Sequence, residues 1–263
     1  MRSVLTIGFI AALGMQMSAP TRSFAAPQTA TRAGRTKHWT PADPSSIPPG
    51  PLGDSIRLGL SIFNETPKYA SSYVGNKLSC TDCHAQGGTV PHAIPLVGVP
   101  GLFPMYRERE KSVVTFEQRI NQCFERSENG RALPSTSPEM IALVAYAQWL
   151  SQGQPAGKSL PGRGLIALPA LVGDPVRGEQ IFTKKCTLCH GANGDGKYPA
   201  FPALWGPDSY NAGAGMNRIS TMAAFVRYNM PQTNPRSLTT QQAYDVAAYV
   251  NSKPHTPFSA PGH

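Results

Sequence analysis

Apolar positions recur with helical spacing in four segments of the chain, and the four segments form two similar pairs. The first pair covers residues 54–63 and 137–151, and the second covers residues 174–182 and 239–252. The later segment of each pair carries a tyrosine within its apolar face. Strand patterns between these segments are weak. The pattern therefore predicts a mostly α-helical protein built from two tandem units of similar plan.

The first 26 residues have the pattern of an export signal. Arg2 supplies a positive start, an apolar run follows, and small residues up to Ala26 offer a cleavage site. The apolar run has about a dozen residues, whereas a membrane-spanning helix needs about 20. An uncleaved membrane anchor is the alternative. We predict a signal peptide over residues 1–26 and no membrane span after cleavage.

Composition divides the rest of the chain into four segments. Residues 27–50 are rich in Pro, Ser, Thr and Ala and are predicted to form a flexible leader. Residues 156–173 are rich in Gly and Pro and are predicted to link two domains. The predicted domains are residues 51–155 and residues 174–263.

The formal charge of +9 is not concentrated in a way that indicates nucleic-acid binding. Residues 51–155 hold nine basic and nine acidic side chains, so this domain has no net charge. No run of Lys and Arg forms a basic stripe along the chain. We therefore expect no nucleic-acid partner and use only the local placement of individual arginines.

The motif Cys-x-x-Cys-His occurs twice, once in each predicted domain. The two copies are Cys80, Cys83, His84 and Cys186, Cys189, His190. Two thiols on one helical turn can attach a haem covalently, and the adjacent histidine then supplies an axial ligand to the iron. A disulfide framework or a zinc site is the alternative. Two such motifs behind an export signal predict two covalently bound haems c, with His84 and His190 as proximal ligands, in the periplasm.

The second domain offers methionines as the distal ligand of its haem. Met230 lies 40 residues after His190, in a Pro-containing loop before the last predicted helix. Met216 and Met222 are the alternatives. His/Met ligation raises the reduction potential of a haem and suits electron transfer. We predict Met230 as the ligand and an electron-transfer role for this domain.

The first domain has no methionine at the corresponding place. Cys123 lies 39 residues after His84, about one helical turn before the usual methionine position. Its sulfur is a candidate iron ligand. The alternatives are an inert buried thiol, an intermolecular disulfide, or ligation by another residue. Those other candidate ligands are Met105, Met140 and His92.

The residues around Cys123 favour a reactive thiol. Residues 115–127 are predicted to be helical, which places Arg119 and Ser127 on the same face as Cys123. Arg126 is close by, and Arg107 and Arg109 precede the helix. Arginine lowers the pKa of a neighbouring thiol and binds oxyanions through paired hydrogen bonds. The alternative is that these arginines pair with nearby glutamates on a solvated face.

An initial helix, a haem motif, a ligand loop and a final helix in each domain are the parts of a class I cytochrome c domain. The first domain further resembles the dihaem thiosulfate dehydrogenases, a family that includes tetrathionate reductases. The resemblance rests on residues 73–84, Pro95 to Gly98, Met105 to Arg107 and residues 119–130.

The resemblance implies roles for individual residues. Cys123 would be the distal ligand of a catalytic haem, and Arg119, Ser127 and Arg109 would line the substrate pocket. Arg126, which is close to Cys123 in the sequence, is predicted to act with them. Some members carry a lysine beside the distal methionine of the second haem, and the two exchange as ligands. Here that neighbour is Asn229, so we expect plain His/Met ligation.

The predicted activity is the oxidation of two thiosulfates to tetrathionate. Electrons would pass through the first and second haems to a small soluble acceptor, such as a cytochrome c or a high-potential iron-sulfur protein. Three alternatives stay open. They are a tetrathionate reductase, a non-catalytic dihaem electron-transfer cytochrome, and a sulfur-oxidation cytochrome that acts on a carrier protein.

Overall fold

The computed structural model describes residues 39–259, which lie within one compact unit. This unit is mostly helical, so the fold class predicted from the apolar pattern is confirmed. None of its helices is long and apolar enough to cross a membrane. The predicted export signal, residues 1–26, lies outside the described residues.

The first half of the unit contains the following elements. Its helices are α1 (Pro51–Asn64), α2 (Thr66–Tyr69), α3 (Cys80–Cys83), α4 (Ala85–Gly88), α5 (Phe116–Arg126) and α6 (Pro138–Leu150). Short 3-10 helices cover Pro44–Ser46, Ser71–Tyr73 and Pro100–Leu102. Strands β1 (Met105–Arg107) and β2 (Ser112–Val114) form an antiparallel hairpin with Tyr106 opposite Val113. The hairpin leads directly into α5.

The second half repeats this plan with fewer elements. Its helices are α7 (Pro175–Lys185), α8 (Thr187–His190), α9 (Ile219–Asn229) and α10 (Thr240–Asn251), with a 3-10 helix at Gly215–Asn217. α7 packs against α10 as α1 packs against α6, and α9 also packs against α10. Each half has its own apolar core.

Helix capping explains where the predicted helices begin. The Ser137 hydroxyl accepts a hydrogen bond from the Met140 N–H at 3.2 Å, and proline follows at the first helical position. Thr239 and Gln242 cap α10 reciprocally. The Asp174 carboxylate caps α7. The observed helices lie within two or three residues of the predicted segments.

A glycine allows the first and last helices of each half to cross closely. A Cβ atom on Gly59 would lie 2.1 Å from the Ala142 carbonyl oxygen, and one on Gly178 would lie 2.0 Å from the Asp245 carbonyl oxygen. Both distances are far below van der Waals contact, so only glycine permits this approach. The same glycine-mediated helix crossing in both halves supports the interpretation that they form an internal repeat.

Hydrogen bonds join the two halves near the end of α5. The Asn76 amide donates to the Ser127 carbonyl at 2.8 Å and to the Ser209 carbonyl at 2.9 Å. Asn211 is 2% exposed and donates through its side chain to the Glu125 carbonyl at 2.8 Å. Buried amides with satisfied partners fix one relative placement of the two halves.

The structure adds detail to the predicted leader and linker. Ile47 lies in the segment predicted as a leader, but its side chain is buried in the first core. The Gly162 carbonyl in the linker accepts a hydrogen bond from the His92 N–H at 2.7 Å. Leu165 and Leu168 pack against the second core. The linker therefore contacts both halves along its length.

Candidate catalytic and haem sites

The first Cys-x-x-Cys-His motif forms one helical turn, α3. Cys80 begins it and Cys83 ends it, and His84 follows directly. The His84 Nδ1 lies 2.5 Å from the Ile94 carbonyl oxygen. A carbonyl accepts only from a protonated nitrogen, so in a neutral imidazole this contact leaves Nε2 as the nitrogen that can ligate a metal. The two thiols and this imidazole fit the covalent attachment and axial ligation of a haem c.

The second motif has the same geometry. Cys186 is the N-cap of α8, and Cys189 and His190 lie at its end. The His190 Nδ1 lies 3.0 Å from the Pro202 carbonyl oxygen, which again leaves Nε2 for a metal. Burial lowers the pKa of His190, so the imidazole is kept neutral, as a ligand must be. This site also fits a haem c.

Cys123 faces the first motif from α5. The Arg119 Nη1 donates to the Cys123 Sγ at 3.0 Å, one turn earlier on the same helix. Burial opposes ionisation of this thiol, but Arg119 and the adjacent His84 imidazole outweigh it and lower its pKa to about 6. The sulfur thus lies beside the proximal imidazole, and the lowered pKa favours its thiolate form. This placement suits a sulfur ligand on the opposite side of the iron.

The other residues predicted around Cys123 line one cavity of about 370 Å³. Ser127 ends α5 and donates its backbone N–H to the Cys123 carbonyl at 2.7 Å. Arg109 donates to the Gly213 carbonyl at 2.7 Å. Arg126 also lines the cavity. The complete lining is Met105, Tyr106, Arg107, Glu108, Arg109, Arg119, Gln122, Arg126, Ser127, Gly215 and Arg218.

Among the described residues, a glutamate pairs with only two of the arginines predicted around Cys123, namely Arg107 and Arg126. Glu110 accepts from the Arg126 Nη1 at 3.0 Å and pairs with the Arg107 Nε at 3.5 Å. Arg109 and Arg119 have no carboxylate partner within residues 39–259. The cavity therefore keeps positive charge beside the Cys123 sulfur, which suits an anionic ligand.

Five lining residues were not predicted as site residues: Tyr106, Glu108, Gln122, Gly215 and Arg218. The first three are close in sequence to predicted residues, whereas Gly215 and Arg218 are not. Both belong to the second half of the chain and lie more than 90 residues beyond Cys123. No local pattern connects them to this cavity. They reach it because Asn211 and Gly213, just before them, hydrogen-bond to the first half.

The candidate distal ligands of the second motif differ in position. Met230 follows the end of α9, is half-buried and packs against the second core. Met216 and Met222 are buried within the same core. The side chain of Asn229 donates to the Phe225 carbonyl at 3.1 Å, so this neighbour of Met230 is held by its own helix. Met230 as iron ligand stays a prediction.

The remaining candidates for the first iron lie in three different places. Met140 is 1% exposed and packed in the first core on α6. Met105 lies on the cavity wall. The backbone carbonyl of His92 accepts a hydrogen bond from Asn229, so this residue lies where the halves meet. Cys123 is the candidate whose sulfur interacts with the His84 imidazole.

Comparison with known proteins agrees with this arrangement. The family model described as SoxA/TsdA, cytochrome c domain matches residues 68–156, and the cytochrome c model matches residues 175–253. A thiosulfate dehydrogenase of Thiomonas intermedia is 39% identical, over 95% of this chain and 82% of the relative. Another, from Allochromatium vinosum, is 44% identical over 82% of this chain and 83% of the relative.

The chain belongs to the thiosulfate dehydrogenase family. The resemblance inferred from the residues around Cys123 is thereby confirmed, and so is the tandem cytochrome c architecture. The solved thiosulfate dehydrogenase (TsdBA) from Marichromatium purpuratum, as isolated, has a TM-score of 0.78 and 38% identity. The match covers 81% of this chain and 49% of that one, so the chain spans about half the length of the solved protein. Two cytochrome c domains imply that family members of this kind bind haem c.

Proposed function

We propose that this protein is a periplasmic dihaem thiosulfate dehydrogenase that joins two thiosulfates into tetrathionate. The observation that carries the proposal is the Cys123 sulfur, held 3.0 Å from the Arg119 guanidinium and beside the His84 imidazole, where Arg119 also lines an arginine-rich cavity. The curated relatives are thiosulfate dehydrogenases. The export-signal pattern of residues 1–26 and the two haem-attachment motifs support a periplasmic location.

The chain's own residues would hold two haems. Cys80 and Cys83 would attach the first haem, and His84 and Cys123 would ligate its iron. Cys186 and Cys189 would attach the second haem, and His190 and Met230 would ligate its iron. When bound, two haems can each hold one of the two electrons that the reaction releases.

Cys123 has the chemistry of a covalent catalyst. Its thiolate would form a sulfur–sulfur bond with the outer sulfur of a first thiosulfate, giving a Cys–S–S–SO₃⁻ adduct and releasing two electrons. A second thiosulfate would attack the same outer sulfur. Tetrathionate then leaves, and the Cys123 thiolate is regenerated with no further change of oxidation state.

Arginines around the cavity would offset the charge that this sequence brings together. Two thiosulfates and a thiolate carry five negative charges in total. Arg119 interacts with the sulfur directly, and Arg109 is free of carboxylates among the described residues. Hydrogen-bond donors that the fold holds in place in a partly buried site stabilise anions more than water does. Ser127 would add a hydroxyl donor at the same wall.

The second domain has a suitable face for the electron acceptor. Leu188 is 95% exposed in the second haem motif. It lies on the face of its helical turn roughly opposite the cysteines, so a haem attached there would leave it uncovered. Lys184 and Lys185 are exposed at the end of the preceding helix. An exposed apolar residue beside lysines suits a soluble redox protein with an acidic rim.

The first haem motif lacks such a face. Asp82 occupies the position equivalent to Leu188, and its carboxylate accepts from the Ser79 N–H at 2.8 Å. Cys83 of the same motif packs against the second core. Electrons would therefore leave through the second domain, to an acceptor such as a cytochrome c or a high-potential iron-sulfur protein.

One experiment tests the proposed function against its alternatives. The purified holoprotein, with no carrier protein present, would be assayed with thiosulfate and ferricyanide, and in reverse with tetrathionate and a viologen donor. Net thiosulfate oxidation supports the proposal, and turnover in the reverse direction alone would make it a tetrathionate reductase. Absence of turnover in both directions would leave an electron-transfer or carrier-linked cytochrome.

A further inference from the structure

The cavity beside Cys123 is built by both haem domains. Nine of its lining residues come from the first domain, whereas Gly215 and Arg218 come from the second. Arg218 is the residue immediately before α9. A charged side chain from the electron-transfer domain thus stands at the wall of the candidate catalytic cavity.

Hydrogen bonds hold the segment that carries Arg218. The backbone N–H of Asn211 donates to the Arg126 carbonyl at 3.1 Å, and its side chain donates to the Glu125 carbonyl at 2.8 Å. Arg109, from the first domain, donates to the Gly213 carbonyl at 2.7 Å. Because the bonds lie within seven residues of Arg218, its backbone is fixed relative to Cys123.

Arg218 and Arg109 are not neutralised. Neither forms an ion pair within residues 39–259, whereas Arg107 and Arg126 share Glu110. Among the described residues, the Arg218 side chain donates a hydrogen bond to the Thr221 hydroxyl at 3.4 Å. Glu110 acts on Arg109 electrostatically, but its carboxylate is paired with Arg107 and Arg126. Like charges held together without an ion-pair partner of their own favour an anion between them.

The electrostatics of Arg109 are consistent with this arrangement. Partial burial lowers the pKa of its guanidinium, and the positive charges of Arg126 and Arg218 lower it further, while Glu110 opposes the shift. Arg218 therefore acts electrostatically on Arg109 across the domain boundary. A bound anion would relieve the repulsion.

Substrate chemistry requires two anion positions in this cavity. Tetrathionate carries a sulfonate at each end of a chain of three sulfur–sulfur bonds. If its reacting sulfur lies at Cys123, one sulfonate stays beside the sulfur, near Arg119. The other sulfonate must lie farther from Cys123, where it is bound either by water alone or by a second set of hydrogen-bond donors.

We propose that Arg218 and Arg109 form an outer sulfonate subsite at the domain boundary, which holds the sulfonate farther from Cys123. This proposal rests on the proposed function. The first thiosulfate would bind at the inner position, and the second would bind at the outer one before it attacks the adduct. Tetrathionate would need both positions at once.

Two variants of Arg218 test the subsite in the oxidised holoprotein. The variants and their control are compared in a Cys123→Ala background, because tetrathionate would otherwise exchange with the Cys123 thiolate to give the adduct and free thiosulfate without any reductant. Calorimetry then gives the dissociation constant for binding alone. We expect Arg218→Gln to raise that constant about ten-fold, which corresponds to about 1.4 kcal/mol, the size of one charge-assisted hydrogen bond. Arg218→Lys keeps the charge but loses the fork, and should fall between Gln and the unaltered protein.

A matched control removes the same charge elsewhere. Arg163 is exposed in the linker and does not line the cavity. Arg163→Gln should bind tetrathionate like the unaltered protein, and all variants should keep the same Soret spectrum. A dissociation constant for Arg218→Gln within about two-fold of the control would overturn the subsite.

The same measurements test the outer sulfonate subsite and the proposed dehydrogenase function independently of each other. Loss of affinity in Arg218→Gln with no turnover by the unaltered protein would sustain the subsite and reject the dehydrogenase. Normal turnover with unchanged affinity in the variant would reject the subsite alone. In the oxidative assay, Arg218→Gln should raise the KM for thiosulfate more than it changes kcat.

Discussion

The contact between Arg119 and Cys123 gives the sharpest quantitative prediction. At 3.0 Å, a guanidinium and a thiolate attract by about 5 kcal/mol with an effective dielectric constant of about 20. Most of this is offset by the cost of burying the pair, since a hydrogen bond to a charged group contributes about 1.5–3 kcal/mol net. Replacing Arg119 by Gln should therefore lower kcat/KM for thiosulfate about 10- to 150-fold.

The assay is steady-state thiosulfate oxidation with ferricyanide, on holoprotein whose two haems are verified by mass. Arg131→Gln is the control, because Arg131 lies in the same domain, donates to the Ser72 carbonyl and does not line the cavity. Arg119→Lys should retain part of the activity because it keeps the charge. If Arg119→Gln and Arg131→Gln had equal kcat/KM, the reasoning about the thiolate would be refuted.

Three further predictions concern packing, the acceptor and the domain boundary. Gly178→Ala should destabilise the holoprotein by about 1–2 kcal/mol, because its Cβ would meet the Asp245 carbonyl; a raised thermal midpoint would contradict this. The double variant Lys184→Glu, Lys185→Glu should raise the KM for the acidic succinylated cytochrome c and lower the KM for the basic native cytochrome c. Identical KM values in the variant and the unaltered protein would exclude this face as the acceptor site. Asn211→Ala should lower the unfolding free energy by about 1–3 kcal/mol and weaken tetrathionate binding measured by calorimetry; unchanged values would contradict its bridging role.

Local features of the chain could be predicted because they depend on residues that are close together in the sequence. The four long helices at the domain ends follow from apolar periodicity and from caps such as Ser137 and Thr239. Arg119 and Cys123 share a helix face because they are four residues apart, and the structure shows their contact. The tandem cytochrome c architecture followed from the two motifs and is confirmed.

Features that depend on tertiary packing could not be predicted in the same way. α9 was not predicted: Met230 was expected in a loop before the last helix, and the polar and apolar residues of the segment that precedes it give a weak pattern. The β1–β2 hairpin pairs only three residues on each strand, too few for an alternating pattern to stand out. Arg218 reaches the cavity through contacts made by Asn211, which no local spacing encodes.

The central claim is that the Cys123 sulfur does the chemistry. Its most direct test is the thiosulfate:ferricyanide activity of Cys123→Ala holoprotein, with both haems shown by mass to be attached. We expect activity to fall to the background of the assay, while the second domain keeps its redox spectrum. Full retention of thiosulfate oxidation by this variant would contradict a catalytic role for the Cys123 sulfur.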